Sequence, residues 1–246
     1  INEDGTFNND KHRGRRVTIS GRGPGIEAGA DIRLLVPPGK KVSVYWGHGK
    51  ASVTRVDADL ALDAAGMPVS ATGIRGSLSV DIGSGMVGVE GADAEISIDT
   101  GSGDVSLSGI HGKGVTVDTG SGEVTGNDVS AESASIDTGS GNIQLGKFNA
   151  GRVSLETGSG AVTVEIAGAT RSLEIDAGSG DVSVTIPKAL GAELSVETGS
   201  GGIETNLTME TSVRKHDELV GRIGDGRGRI AIETGSGTVS IRQAGL

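Results

Sequence analysis

Carboxylates followed by threonine, glycine and serine recur along the sequence. The pattern [DE]-T-G-S-G begins at Asp99, Asp118, Asp137, Glu156, Glu197 and Glu233. Asp-Thr-Gly-Ser is also the signature of aspartic proteases, whose chemistry needs two carboxylates that share one proton. Here the carboxylate recurs at near-constant spacing along the chain, which predicts a solvated row of acids and not a catalytic pair.

Such a row could bind calcium, which takes about six to eight oxygen ligands from carboxylates and carbonyls. The candidate ligands are Asp99, Asp118 and Asp137 before the glycines and Asp104 and Glu123 after them. The repeat differs from the glycine-rich nonapeptide of calcium-binding β-rolls. We favour the interpretation that each carboxylate caps the amides of its own turn. The sequence therefore predicts no required cofactor, with calcium as the alternative.

The serines of the motif, such as Ser102, Ser121 and Ser140, are nucleophiles only if a base is positioned beside them. The histidines of the chain are His12, His48, His111 and His216. No histidine has a repeated relation to a serine. Gly224–Gly228 lacks the lysine and hydroxyl residue of a P-loop, and we expect it to form a tight turn before the last repeat. The sequence thus predicts a protein that is not an enzyme, with no catalytic residues.

The glycines of the motif define an internal repeat. Such a repeat predicts the fold of the whole chain more strongly than any single motif does. The first glycine of each copy is Gly83, Gly101, Gly120, Gly139, Gly158, Gly178, Gly199 or Gly235. Successive spacings are 18, 19, 19, 19, 20, 21 and 36 residues. The doubled last spacing predicts that one repeat between residues 200 and 234 has lost its motif.

The residues around each glycine corner alternate between apolar and polar, which indicates strands. Apolar residues lie five and three positions before the first glycine, four and six positions after it, and again near the ninth. The threonine just before the glycine has the parity of the core, and the acid before it faces solvent. One repeat cannot bury its apolar row alone, whereas stacked repeats share a continuous core. We therefore predict an all-β fold, a parallel β-solenoid (β-helix) of about ten or eleven coils of 18–21 residues, with right-handed winding favoured.

The first thirty residues lack this repeat. They are polar and glycine-rich, and we expect residues 1–30 to form an N-terminal cap and residues 31–246 to form the solenoid. Solenoid ends need covering because their strand edges are unpaired. No cap is evident after Ile241, so that end is expected to be open.

Composition limits the classes of partner. The net charge of −10 disfavours nucleic acid, and we expect the basic stretches Lys11–Arg16 and Arg222–Arg229 to be solvated loop charge and not phosphate sites. The chain has no cysteine and no apolar run long enough to span a membrane. These features fit an exported bacterial protein, located in the periplasm, cell envelope or cell surface.

The repeated Thr-Gly-Ser-Gly-Asp-Val, as at Thr100–Val105, resembles the bacterial putative-adhesin family. Leu35–Val44 is similar to the first strand of that family, and Gly226–Gly237 is similar to its final coil. The resemblance covers roughly residues 30–246 and implies a β-helical domain that is often exported or attached to the envelope. It implies no catalytic residues.

These observations favour a non-enzymatic extracytoplasmic scaffold that presents an acidic, serine- and threonine-rich surface. Its expected partners are other envelope proteins, surface polymers or further copies of the chain. One alternative is a structural protein that assembles into filaments through open solenoid ends, since head-to-tail contacts that do not close produce filaments. A second alternative is a calcium-binding surface module.

Overall fold

A computed structural model describes residues 31–245 of the chain. The chain divides into two compact units, Ile1–Leu35 and Val36–Leu246. The predicted cap at residues 1–30 lies outside the described residues. Residues 31–35, the described part of the first unit, contain no helix or strand. The following description therefore concerns the second unit.

The second unit consists of strands and turns, and no helix occurs among residues 36–245. The strands are β1 (Lys41–His48), β2 (Ala51–Thr54), β3 (Asp57–Gly66), β4 (Val69–Thr72), β5 (Arg75–Ser84), β6 (Val87–Ser102), β7 (Val105–Thr119), β8 (Val124–Thr138), β9 (Ile143–Thr157), β10 (Val162–Ile166), β11 (Ser172–Ala177), β12 (Val182–Ile186), β13 (Ala192–Thr198), β14 (Ile203–Thr205), β15 (Glu210–Arg214), β16 (Glu218–Ile223), β17 (Gly228–Thr234) and β18 (Val239–Gln243). No helix long and apolar enough to cross a membrane is found in the described part of the chain.

Parallel pairing stacks equivalent residues of successive repeats. From β1 to β12, eight coils follow one another in chain order, each paired in register with the next. One column of stacked residues runs Val42, Leu60, Leu78, Ile96, Val115, Ala134, Val153, Leu173, Ile230 and Leu194. The predicted all-β solenoid is confirmed.

Aliphatic columns fill the interior. In the inner coils, the residues five and three positions before the corner are buried, as are those four and six positions after it, for example Ile98 and Val105, whereas their equivalents in the first coil, such as Val42, are half-buried. Phe148 is completely buried near the ninth position. Burying one such side chain stabilises the fold by about 1.5–3 kcal/mol. Because the columns run from coil to coil, the core is continuous along the stack, although each coil contributes few residues.

The glycine corners are required by close contact between stacked backbones. A Cβ atom on Gly141 would lie 1.7 Å from the carbonyl oxygen of Gly122, and one on Gly120 would lie 2.5 Å from that of Gly101. Neither Gly120 nor Gly141 has a positive φ angle. At these corners glycine is therefore required for close approach of the backbones and not for a positive φ.

A second corner lies eight residues after the first glycine, and the sequence does not indicate it. Its backbone is left-handed in six stacked coils, at Arg55, Gly73, Gly91, Gly109, Asp128 and Lys147, with φ between 48° and 67°. This region favours glycine. Three of the six residues carry side chains, so the glycine signal is incomplete in the sequence.

The last repeats depart from the predicted order. We call residues 172–186 the eighth coil, residues 192–205 the outer coil and residues 228–243 the terminal coil. β17 pairs with β11 on one side and with β13 on the other, and β18 likewise lies between β12 and β14. The terminal coil is thus inserted between two coils that precede it in the chain, and the corners of Gly178 and Gly199 are not neighbours.

The predicted degenerate coil between residues 200 and 234 is wrong. Its place is taken by an antiparallel hairpin, β15–β16, whose second strand pairs antiparallel with the free edge of β13. Leu219 and Ile223 of this hairpin are buried, and Leu207 and Met209 pack against the core from the connection before it. The expectation of an open end is corrected as well, because the hairpin covers the β13 edge of the outer coil.

Candidate functional site

The most regular chemical feature of the surface is a column of carboxylates beside the glycine corner. We call it the acidic ladder; in stacking order its members are Asp63, Asp81, Asp99, Asp118, Asp137, Glu156, Asp176, Glu233 and Glu197. All nine are exposed. Neighbouring strands lie about 4.8 Å apart, so each carboxylate within the row has a ladder residue on the strand at either side.

Burial and repulsion from neighbouring carboxylates raise the pKa of two members of the ladder, Asp99 and Asp137. Partial burial raises the pKa of Asp99, and the neighbouring charges of Asp81 and Asp118 raise it further. Partial burial also raises the pKa of Asp137, with a further contribution from Asp118. Like charges held this close disfavour ionisation. Between described residues, no ion pair involves a member of the ladder.

The ladder ends in an acidic groove at the far end of the stack. The groove has a volume of about 560 Å³, and its carboxylates are Asp176, Glu197, Asp217, Glu218 and Glu233. Glu218 lies opposite Glu197 in the antiparallel pairing of β13 with β16, and it forms an ion pair with Lys215. The capping hairpin therefore extends the ladder, which the sequence could not show because Glu218 lies outside the repeat.

The candidate calcium ligands fall into two separate sets. Asp99, Asp118 and Asp137 are members of the ladder, whereas Asp104 and Glu123 lie across the corner. There, the carboxylate of Asp104 accepts a hydrogen bond of 3.0 Å from the backbone amide of Glu123. No group of three or more histidine, cysteine, aspartate or glutamate residues within 31–245 could hold a metal ion. Calcium binding stays a prediction that a comparison of melting temperatures in EDTA and in calcium can test.

Where a side chain caps an amide of the corner, it comes from groups other than the ladder carboxylates. At three corners the residue three positions after the first glycine caps the equivalent amide of the next coil in the stack, as Asp181 Oδ1 does for Thr238 N at 2.7 Å. Asn142 caps Ala161 in the same way at 2.9 Å. This corrects the expectation that each ladder carboxylate caps its own turn, and it leaves the ladder oxygens free to bind other groups.

The buried threonines of the corner form what we call the threonine relay. Thr157 Oγ1 accepts a hydrogen bond of 3.0 Å from Gly160 N of its own corner and donates one of 3.0 Å to Gly141 O of the previous coil. The same pair of bonds occurs at Thr138, Thr198 and Thr234. The predicted inward orientation of these threonines is confirmed. The relay fixes the corner from which the ladder projects.

The serines of the corner are exposed and lack a basic partner. Ser102, Ser121 and Ser140 all face solvent, and no hydrogen bond between described residues joins a histidine to a corner serine. His48 is exposed at an early corner, with its Nδ1 3.2 Å from the carbonyl oxygen of Gly66. These positions provide neither the base nor the orienting group of a nucleophilic site.

The basic stretch Arg222–Arg229 is partly neutralised by acids. Arg222 forms an ion pair of 3.0 Å with Glu210, and Arg227 forms one of 3.1 Å with Asp225. Gly224 and Gly226 have φ angles of 55° and 70°, which gives the tight turn expected before the terminal coil. The stretch Lys11–Arg16 lies outside the described residues.

Comparison with known proteins gives one family match over most of the chain. The family model described as Toastrack DUF4097 matches residues 31–242, which is most of the chain. No curated protein is similar enough to count as a match. A solved structure described as a putative cell adhesion protein from Clostridium sporogenes is 11% identical with a TM-score of 0.21, covering 83% of this chain and 92% of that chain. A likeness that distant carries no argument about this protein.

Proposed function

We propose that this chain, which belongs to the Toastrack DUF4097 family, is a non-enzymatic scaffold that presents the acidic ladder to a cationic partner. The observation that carries the proposal is the ladder itself, nine exposed carboxylates in register along the stack. A rigid row of like charges attracts a polycation over its whole length and favours an extended partner over a compact one.

Rows of hydroxyl groups on the same strands support a binding surface. Two positions before the ladder, the outward residues include Ser79, Ser97, Thr116, Ser135 and Ser154, all exposed. These short side chains donate and accept hydrogen bonds and leave the ladder sterically accessible. The surface would therefore combine long-range charge attraction with short-range hydrogen bonding, as binding to an amine-bearing polymer or a basic protein segment requires.

The repetition of the surface supports a role without catalysis. Catalytic sites place unlike groups at one point with distinct proton affinities. Here the same corner, with one exposed serine and one exposed acid, recurs from coil to coil. A repeated array of equivalent groups is suited to binding a repetitive or extended ligand.

Neutralising the ladder tests the proposal. The variant Asp81→Asn, Asp99→Asn, Asp118→Asn, Asp137→Asn should bind polylysine at least about tenfold more weakly than the unaltered chain in titration calorimetry at low salt. The matched control carries Glu90→Gln, Glu95→Gln, Glu132→Gln and Glu165→Gln, four exposed acids off the ladder. Both variants change the net charge equally. Equal weakening in both would show that only total charge matters and would refute a role for the ladder.

The extracytoplasmic location is a separate part of the proposal. The absence of cysteine is compatible with this location, because the chain can form no disulfide in an oxidising compartment. Fractionation of the native host, with detection by antibody, should place the protein in the periplasmic or envelope fraction. Recovery from the cytosol alone would contradict this location without affecting the polylysine result.

A further inference from the structure

The terminal coil reaches its position by an indirect path. After the eighth coil, residues 187–191 carry the chain past the position of one coil, and the outer coil forms beyond that position. We call the space between the eighth and the outer coil the gap. The hairpin β15–β16 then covers the outer coil, and the chain returns to fill the gap with residues 228–243. β16 and β17 thus lie on opposite sides of β13, joined only by residues 224–227.

The return of the chain over β13 is sterically tight. Gly228 N donates a hydrogen bond of 2.9 Å to Gly191 O. A Cβ atom on Gly191 would lie 2.1 Å from Asp225 Oδ1 and 2.7 Å from Asp225 N. Four residues, two of them glycines with positive φ angles, therefore make this crossing, and it leaves no room for a side chain at Gly191, just before β13.

The gap offers the terminal coil strand edges on both sides and apolar columns to pack against. Its walls are hydrogen-bonded to the terminal coil on both sides, through Arg229 N to Arg171 O at 2.8 Å and through Gly199 N to Thr234 O at 3.0 Å. Ile230, Ile232 and Ile241 enter the apolar columns and are buried. Without the terminal coil, the edges of both neighbours would be unpaired, and unpaired edges recruit strands.

We propose that the terminal coil is exchangeable between two copies of this chain, so that residues 228–243 of one copy fill the gap of another. The occupant must be a second copy because the gap takes a strand, a Gly-Ser-Gly corner and a second strand in one register. The bonds made inside the gap are the same whether the coil is donated within a chain or between chains, which makes such exchange a low-cost route to association.

Residues 224–227, the linker between β16 and β17, favour exchange for a geometric reason. Within one chain, residues 224–227 must fold back over Gly191, whereas between chains they can extend away from it. A reciprocal exchange closes into a dimer, and a serial exchange produces longer chains. This association goes beyond the proposed function and uses none of the ladder carboxylates, so the two can fail separately.

Cross-linking in the full-length chain tests the exchange, since the protein has no cysteine of its own. Glu174 and Ala231 are register partners on β11 and β17. Adjacent strands bring such partners within the distance that a disulfide spans. A Glu174→Cys chain and a mass-labelled Ala231→Cys chain are mixed, unfolded, refolded together at high concentration and oxidised. The exchange predicts a disulfide between position 174 of one copy and position 231 of the other.

The control pair uses two coils that follow each other in the chain. Ser97 and Thr116 are register partners on β6 and β7, and neither belongs to the terminal coil. Mixed Ser97→Cys and Thr116→Cys chains should form at least about tenfold less cross-linked heterodimer than the first pair. Equal yields from both pairs, or no 174–231 disulfide at any concentration, would overturn the proposal.

Shortening the linker gives an independent measurement. Deleting Asp225 and Gly226 leaves too few residues for the crossing over Gly191 and should raise the dimer fraction in sedimentation at least about tenfold. A shortened chain that is folded and monomeric at every concentration would contradict the exchange. If the shortened chain fails to fold, the cross-linking result decides.

Discussion

At the scale of single residues, the corner is held by steric and hydrogen-bonding requirements that recur along the stack. Two glycines allow the backbones to touch, and at five corners one buried threonine donates a hydrogen bond to the corner before it in the stack. The eighth coil has Ala177 in the threonine position, fully buried between Thr157 and Thr234 in the stack. Ile82 also replaces the threonine of its coil, and Thr100 Oγ1 is buried without a hydrogen-bond partner, so Ala177 is one of several interruptions of the relay.

Ala177→Thr should repair this interruption. The new hydroxyl would accept from Gly180 N and donate to Gly160 O, as its stacked neighbours do at their own corners, and stabilise the fold by about 1 kcal/mol. Urea unfolding measures the change. Ala177→Val is the matched control, since valine has the shape of threonine without the hydroxyl. A valine variant as stable as the threonine variant would show that filling volume, and not the relay, is responsible.

At the scale of the element, strand β6 shows how one segment passes from one coil to the next. It begins after one glycine corner, bends at Gly91 and ends at the next corner. Gly88 and Gly91 lie in the same strand, and a Cβ atom at either position would meet nothing within 4 Å. Only Gly91 has a left-handed backbone, with φ of 61°.

Gly91→Ala should destabilise the protein by about 1–2 kcal/mol, because an L-residue at this φ is strained. Gly88→Ala has the same added methyl group without that strain and should be neutral or stabilising by up to about 1 kcal/mol. Thermal or urea unfolding of the two variants measures the difference. Equal effects would mean that the second corner tolerates any residue, as the side chains at Asp128 and Lys147 in the same column would then suggest.

At the scale of the whole solenoid unit, stacking converts one acid per repeat into a continuous charged column. Holding these charges in one column disfavours their ionisation: burial and, after it, neighbouring carboxylates raise the pKa values of Asp99 and Asp137. A group with a raised folded-state pKa favours folding fully below its unfolded pKa and loses that contribution as the pH rises through the folded value. For these two residues, the loss begins near the ordinary aspartate value of 3.8 and continues above it.

Acidification from neutral pH towards about 4 should therefore make the ladder less destabilising. The variant Asp99→Asn removes one titrating group and two repulsive contacts, so it should be more stable than the unaltered chain at pH 7, with a difference that shrinks as the pH falls. Urea unfolding across this pH range measures it. Glu95→Gln, off the ladder, is the control, and a pH-independent gain in Asp99→Asn would refute coupling within the ladder.

The repeat, the strands, the inward threonines and the outward acids could all be predicted from the sequence. Each depends on local alternation or on the size of glycine, and both are properties of the residues themselves. The left-handed corner was missed because Arg55, Asp128 and Lys147 hide half of its glycine signal. The groove was missed because Glu218 and Asp217 belong to the hairpin and carry no repeat motif.

The sequence by itself determined the strands, the corner and the apolar positions of each coil, and only the tertiary structure decided the order in which the last coils stack. Every coil presents the same apolar columns and the same corner, so almost any coil can stack on any other with similar energy. Which coils become neighbours in the stack then depends on the length of the segments that connect them and on the strands that those segments must pass over. The tight crossing of residues 224–228 at Gly191, and the hairpin that covers β13, make that choice here.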